Sequence, residues 1–418
     1  MKTVVLGAGV IGVTTAYYLA KQGHEVTVLE GRSEIAQDAS GGNAGLIAPG
    51  HAFAWASPTA PKMLLRSLRG EATAIRVQPR IDPRFSVWAL QFLRECTSER
   101  AKANTLVKLR LCQYSQQLMG ELAAEENIDF QHVKGGVFYL HRTEEELEAG
   151  LTRMALLRDH GQEMEAIDAD EMARIDPAFA SAKDVIAGAI HSKTDATGNS
   201  ELFSQVLAER CKAMGVEFRL GTTVRELVSY GGRVTSVETD QGNFFADDFV
   251  LATGIRSPFL AKQVGQSLPI YPAKGYSLTV PIADASKAPT IGGVDEKTLV
   301  AWSRMGDKLR ISSTAEFAGY NRNWKTSDFS NILKTAKELW PEAADWSQSR
   351  MRSCMRPMTP DGPPIIGRGR LDNLYYNTGH GHMGWTMACG SSRILADLMI
   401  GRTPAIDTTG MQVRAFRR

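Results

Sequence analysis

Apolar positions along this chain recur on two periods, and the places where the period changes outline the elements. Lys2–Leu6 and Glu25–Leu29 are short apolar runs of the kind that form buried parallel strands. Between them Val13–Ala20 carries helical residues, and Gly23 ends that stretch. Residues 84–126 read as helical: Val87, Leu90 and Leu93 recur at three-residue spacing, as do Leu106 and Leu109, and Leu111 and Leu118 stand two turns apart. Gly135–Leu140 reads as a strand, and residues 143–160 as an amphipathic helix whose acids, Glu145 and Glu148 among them, make a solvated face. The spacing predicts a further helix over residues 200–213, opened by Asn199 or Ser200 as cap with Glu201 in its first turn. Strands follow at Val216–Leu220 and Asp248–Thr253, with a hairpin of Val234–Thr239 and Asn243–Phe245 around Asp240-Gln241-Gly242. Residues 268–316 are strand-rich, at Tyr276–Val280, Leu299–Ser303 and Lys308–Ser312. Residues 327–340 are helical; Asn373–Asn377 is a strand, and a helix runs from Thr386 to about Ile400.

The first thirty residues carry chemistry as well as pattern. Gly7, Gly9 and Gly12 follow the first strand in G-x-G-x-x-G spacing: one for a tight turn, one for close backbone approach to a pyrophosphate, one for close helix–strand packing. The following helix offers unpaired N–H groups and a positive dipole end to phosphates. Glu30 closes the second strand 18 residues after Gly12, where an acid accepts hydrogen bonds from an adenosine ribose. This glycine spacing excludes a signal peptide, despite Lys2 before an apolar stretch. Residues 33–58 are rich in Gly, Ala, Ser and Pro, and their apolar exit Leu46-Ile47-Ala48 marks a buried, ordered loop rather than a linker. The whole reads as an α/β protein: a discontinuous Rossmann-like dinucleotide domain at 1–55, 185–262 and 350–418, interrupted by a second α+β domain at 56–184 and 263–349.

Composition narrows the classes. With 418 residues, 43% of them hydrophobic, the chain can bury a large core without disulfides or metals. A net charge of +2, with Lys and Arg spread along the chain, excludes a nucleic-acid footprint. Five scattered cysteines without a C-x-x-C pair favour a reducing compartment, and no apolar run reaches 18 residues. No carboxylate pair, Ser-His-Asp arrangement or His-rich spacing stands out, so no metal is expected.

Five segments carry a resemblance that runs nearly end to end. They are Ala39-Ser40 with Asn43-Ala44-Gly45 and Pro49-Gly50; Ala252-Thr253-Gly254; Tyr271-Pro272 with Lys274 through Thr279; Arg356 through Gly362; and Asn377 through Gly381 with Gly384 through Gly390. On these the chain resembles the superfamily of glycine oxidases, D-amino-acid oxidases and D-amino-acid dehydrogenases, and most of all the bacterial D-amino acid dehydrogenases, in their small subunit. The resemblance implies FAD rather than NAD and an antiparallel sheet over the flavin. It places Asn43, Ala44 and Gly45 along the isoalloxazine ring, Ser40 and Leu46 among the cofactor contacts, and Val224 at the adenine. Val10, Ile11, Gly31, Arg32, Thr253 and Gly254 complete the implied cradle. Gly379, His380, Gly381, His382, Met383, Gly384, Trp385 and Thr386 would face the flavin pyrimidine and phosphates. A helix starting near Gly384 would turn its positive end toward charge that develops on the reduced ring.

The implied reaction is hydride removal from the α-carbon of a D-amino acid, giving an imine that water converts to a 2-oxo acid, with electrons passed to a quinone or other respiratory carrier. Arg356 matches the family's carboxylate clamp, a guanidinium making two parallel hydrogen bonds. Tyr276 and Lys274 share one face of a strand and stand as substrate or flavin contacts, with packing as the alternative. His51 and His382 depart from the family pattern where substrate is expected; each reads as a base toward the ammonium group or as a supporting hydrogen-bonded histidine. Cys354 stands where some relatives attach flavin, and reads more simply as a small buried hydrophobe. The same motifs suit an oxygen-using oxidase of glycine, sarcosine or a D-proline derivative, or a flavoprotein subunit of a larger complex. The family implies a cytoplasmic protein with peripheral contact on the inner face of a bacterial membrane; Pro61–Arg69, mixing basic and apolar residues, is a stretch that could touch it, though nine such residues more often make an ordinary helix packed on the protein.

Overall fold

The computed structural model describes residues 1–68, 75–78 and 80–413. Of the basic-apolar stretch noted above, Arg69 lies outside the described residues.

Two large sheets organise the protein. The first has six strands in the order Glu217–Arg219, Glu25–Leu29, Lys2–Leu6, Asp248–Leu251, Leu374–Thr378, Ile365–Arg368. All neighbours are parallel except the last pair. Its central strands are buried on both faces, as the apolar runs Val4-Val5-Leu6 and Phe249-Val250-Leu251 require. Helix Val10–Lys21 packs between Ser200–Ala213 and Gly384–Met399. A polar knot locks it there: Ser392 Oγ lies 2.7 Å from Thr14 Oγ1 and 3.0 Å from Thr15 Oγ1, and Asn377 Nδ2 donates to Thr15 Oγ1 at 3.0 Å.

The second sheet has nine strands and is mainly antiparallel. Eight follow in the order Arg350–Met358, Tyr271–Pro281, Lys308–Phe317, Val300–Met305, Gly292–Asp295, Val137–His141, Gly188–Ser192, Met164–Asp168, and Ile75–Val77 pairs with Lys308–Phe317. Its core is aromatic: Trp302 packs edge-on to Trp340 at 4.9 Å, with Phe179 and Phe138 beside them. Gly188–Ser192 and Arg350–Met358 belong to this sheet, although they open two of the spans assigned above to the dinucleotide domain. The whole is the mixed α/β architecture expected, with a Rossmann-like parallel sheet beside an antiparallel one.

Local differences have local causes. The helical stretch 84–126 is two helices, Pro83–Glu95 and Ser98–Glu125, because Thr97 caps the second by accepting from Arg100 N. Val87, Leu90 and Leu93 mark the first of these helices yet all face outward; its buried residues are Trp88 and Phe92. Asn199 caps Ser200–Ala213 by accepting from Leu202 N at 3.1 Å.

Candidate functional site

The first strand delivers the chain into Gly7, whose φ of +103° suits glycine alone. Gly9 is the N-cap of helix Val10–Lys21. A Cβ on Gly12 would stand 1.8 Å from the Gly7 carbonyl oxygen, so the helix seats against the turn only because Gly12 has no side chain. The helix N-terminus therefore opens onto a cavity of about 410 Å³, lined here by Gly7, Gly9, Val10 and Ile11. Ser40 Oγ accepts from Val10 N at 2.9 Å. Glu30, Gly31 and Arg32 line the same end, and the Glu30 carboxylate accepts from Ala8 N and Arg32 N at 2.8 and 2.9 Å. Val224, Thr253 and Gly254 form its floor.

The loop after Ser40 is held from the second sheet. Arg310 donates through Nε to Thr279 Oγ1 at 2.7 Å and through one terminal nitrogen to the carbonyls of Gly41 and Asn43 at 2.7 and 3.1 Å. Arg352 also donates to the Gly41 carbonyl, at 3.0 Å, and Ser303 Oγ to that of Ala44, at 2.7 Å. Asn43 lines the cavity and closes its own turn by accepting from Gly45 N at 2.8 Å. Ala44, Gly45 and Leu46 carry on from the cavity wall toward that sheet, and Thr386 ties the loop's exit by accepting from Ala48 N. Arg322 pairs with Asp38 through two bonds of 2.8 and 2.7 Å, and both residues line the cavity. Sequence reasoning did not single out Arg310, Arg322 or Arg352; only Arg310 falls inside a strand read from the pattern, Lys308–Ser312.

At the far end stand Cys354, Arg356, Gly379, His380, Gly381, His382, Gly384 and Trp385. An isolated β-bridge from Met358 to His380 brings the strand bearing Arg356 against the glycine-rich segment. Arg356 donates to the Thr314 carbonyl at 2.8 Å, and has no carboxylate partner among the described residues. Burial pushes its pKa down. His382 stacks on Trp55 with ring centres 4.9 Å apart, and its Nε2 is buried without a partner. Burial, then the nearby Lys108, His51 and Arg356, hold its pKa well below the usual range. Burial likewise takes His380 down to about 3; its Nε2 lies 3.0 Å from Ser391 Oγ. Met383 is buried in the core behind this segment.

The other sequence candidates stand outside the cavity lining. Lys274 and Tyr276 do share one face, and both reach Glu316: Lys274 Nζ lies 2.8 Å from its carboxylate, and Tyr276 donates to the same oxygen. His51 stacks on Tyr139 and meets Glu296 at 3.0 Å, while Arg153 meets the other Glu296 oxygen at 2.6 Å. Burial alone would push Glu296 up, but His51 and Arg153 bring it down to about 2. Beneath the same turn Asp195 accepts from Gly50 N, Gln162 Nε2 and Tyr139 OH at 3.1, 2.9 and 2.6 Å.

Comparison with known proteins shows the family. The FAD dependent oxidoreductase family matches residues 2–398. The chain belongs to this family. It is 46% identical to "D-amino acid dehydrogenase 2" of Mesorhizobium japonicum, over 98% of this chain and 99% of that one. It is 40% identical to "D-amino acid dehydrogenase" of Allorhizobium ampelinum, over 100% and 99%. Among solved structures, glycine oxidase of Geobacillus kaustophilus superposes with a TM-score of 0.76 at 23% identity, covering 99% of this chain and 98% of that one. L-proline dehydrogenase of P. horikoshii superposes with a TM-score of 0.72 at 19% identity, covering 96% and 94%. These two share the fold. FAD is thus the cofactor, and the cavity fits it on its own evidence: a helix N-terminus opens into one end, and the other holds, among the described residues, three buried polar atoms without partners, Asn377 Oδ1, His382 Nε2 and Trp385 Nε1.

Two outcomes test this geometry. Arg310→Ala removes the donors that hold the carbonyls of Gly41 and Asn43, so FAD affinity should fall at least about tenfold, a charged hydrogen bond being worth about 1.5–3 kcal/mol. Titrating the apoprotein with FAD by fluorescence measures it; unchanged affinity would show that the loop is no part of the cradle. Burial raises the Asp195 carboxyl to about 6. An unfolded aspartate ionises near 3.9. Between about pH 4 and 6 the unfolded chain loses its proton first, so this group's contribution to stability falls as pH rises across that window, by on the order of 3 kcal/mol. Asp195→Asn should remove that fall in urea denaturation. A wild-type-minus-variant difference that is equal at both ends of the window would refute the raised carboxyl.

Proposed function

We propose that this protein oxidises a D-amino acid at the α-carbon and passes the electrons to a quinone or another respiratory acceptor. The observation that carries the reading is Arg356, a guanidinium on the cavity wall that donates to the Thr314 carbonyl and, among the described residues, has no carboxylate beside it. A buried charge without a counter-ion is costly, and a substrate carboxylate satisfies it through two parallel bonds. Relatives named D-amino acid dehydrogenase, matching along almost the whole chain, support the handedness and favour a dehydrogenase over an oxygen-using oxidase.

Bound FAD supplies the hydride acceptor. The chain's own residues do the rest. Gly7, Gly9, Val10 and Ile11 present backbone to the pyrophosphate, Glu30 the ribose contact, Val224 the adenine contact, and Asn43 with Thr253 and Gly254 the walls between. Arg356 fixes the carboxylate and with it the direction of the α-hydrogen. His382, kept neutral, is suited to accept a hydrogen bond from the substrate amine; its lowered basicity makes it a poor store for the ammonium proton. Lys274 and Tyr276 through Glu316, and His51 through Glu296, hold the walls from behind. An acceptor dissolved in a bilayer fits a cytoplasmic protein in peripheral contact with the membrane. No helix among the described residues is long and apolar enough to cross one.

Arg356→Ala should raise KM for the amino acid about tenfold or more, with the flavin spectrum intact, because losing a charged partner costs at least about 1.4 kcal/mol. KM and kcat near wild type would overturn the clamp. Without oxygen, the flavin bands of the purified holoenzyme should bleach on adding a D-amino acid and stay unchanged with its L-enantiomer. Bands indifferent to a full panel of D-amino acids would reject this reading.

A further inference from the structure

Gly275 stands in the middle of strand Tyr271–Pro281, where its backbone makes no demand for glycine, since its φ is not positive. A glycine inside a strand weakens it and marks a place where something comes close to the backbone. What comes close here is Arg356. A Cβ on Gly275 would stand 2.5 Å from Nη2, 2.7 Å from Cζ and 3.1 Å from Nε of Arg356. Cζ is the centre of the guanidinium and lies nearer than Nε, so the plate meets Gly275 with its face and keeps its edges for hydrogen bonds. The ladder explains the meeting. Arg356 pairs across from Ala273, and positions 273 and 275 share one face of their strand, so a long side chain at 356 reaches its diagonal neighbour.

A bulge sets the other contact of the guanidinium. Lys274 pairs with Glu316 and Tyr276 with Ser313, so Thr314 and Ala315 together stand opposite Gly275. Thr314 takes up the extra residue with a φ of +67°, a left-handed conformation that a β-branched residue rarely holds. Its carbonyl accepts from Arg356 Nη1 at 2.8 Å. The strand is pinned on both sides of Gly275. Lys274 Nζ lies 2.8 Å from the Glu316 carboxylate and donates to the Asn323 carbonyl at 3.0 Å, and Tyr276 donates to the same carboxylate. Bulges beside functional sites re-aim a group. The group re-aimed here is a carbonyl; it takes one terminal nitrogen of Arg356, while the Gly275 backbone lies under the other two nitrogens.

We propose that Gly275 is a positioning residue for the clamp: its bare backbone lets the Arg356 guanidinium lie flat, with one terminal nitrogen on the Thr314 carbonyl and the remaining edge presented to a substrate carboxylate. The inference deepens the reading above and rests on its assignment of Arg356 to that carboxylate. A methyl at position 275 would meet the flexible end of a side chain first, so the guanidinium yields and the pinned strand stays. What the methyl removes is orientation rather than charge. A guanidinium turned off its fork still attracts a carboxylate but no longer makes two parallel bonds to it.

Calorimetric titration of the holoenzyme with propionate tests this on four forms: wild type, Gly275→Ala, Arg356→Ala and the double variant. Gly275→Ala should weaken propionate about tenfold, one charge-assisted bond being at stake, with FAD affinity unchanged. On the Arg356→Ala background the same methyl should cost nothing further, because no guanidinium is left to displace. A methyl that merely disturbed the strand would weaken both backgrounds alike; that result, or wild-type binding by Gly275→Ala, overturns the proposal. Should Gly275→Ala fail to hold FAD, the double variant decides: recovery of FAD supports the proposal, and a second failure overturns it. Wild type indifferent to propionate, or Arg356→Ala binding it like wild type, would reject the clamp itself and this inference with it. A weakened Arg356→Ala beside an unchanged Gly275→Ala rejects only the role of Gly275.

Discussion

Everything at the cofactor end depends on one close approach of backbone to backbone. Helix Val10–Lys21 lies so near the turn at Gly7 that a single methyl at position 12 would stand 1.8 Å from a carbonyl oxygen. That approach keeps the first N–H groups of the helix at the mouth of the cavity instead of burying them behind a side chain, where their cost would have to be met by caps. It also sets the helix down between Ser200–Ala213 and Gly384–Met399, so that its Thr14 and Thr15 reach Ser392. Because Gly384–Met399 begins on the cavity wall, the same packing that places the first helix places the second helix N-terminus as well. Two helix N-termini thereby open onto one cavity.

The other half of the site is built by polar side chains that leave the second sheet. A loop of small residues has little apolar surface with which to hold a shape. Here its carbonyls are taken by Arg310, Arg352 and Ser303, each on a different strand of that sheet. Arg310 is buried, and burial lowers its pKa, yet it serves two carbonyls and a threonine hydroxyl at once. A buried cation satisfied by carbonyl dipoles fixes geometry more than it adds stability. The loop is therefore held from the second sheet at the carbonyls of Gly41, Asn43 and Ala44.

Elements whose residues are apolar throughout could be read from the chain alone, since a parallel strand buried on both faces leaves a plain signature. The glycine turn and the Asn199 cap were equally plain, being local. The strand Arg350–Met358 was not, although it bears Arg356. It has arginines at 350, 352 and 356 and a proline at 357, and it is tolerated as a strand because it lies at the edge of its sheet, where a missing N–H leaves no neighbour unpaired. Lys274 and Tyr276 show a different limit. Alternation sets both on one face, but what that face meets is decided by register with Lys308–Phe317, which brings Glu316 opposite Lys274. Period is a property of one strand; register belongs to two.

The charges around the substrate end then explain one another. His380, His382 and Arg356 all lose basicity to burial, but from very different starting points. Both histidines are driven far enough to be neutral at pH 7, whereas a guanidinium begins so high that it keeps its proton. Lys108, brought down by burial to about 8, is already engaged by the Phe53 carbonyl at 2.6 Å. Arg356 thus keeps its charge on the cavity wall, while Lys108, still largely protonated at pH 7, is not part of that lining. In the reading proposed above, Arg356 is matched to a substrate carboxylate, and a neutral imidazole beside it would accept a hydrogen bond without competing for that carboxylate. An amino acid whose amine has shed its proton would meet both conditions.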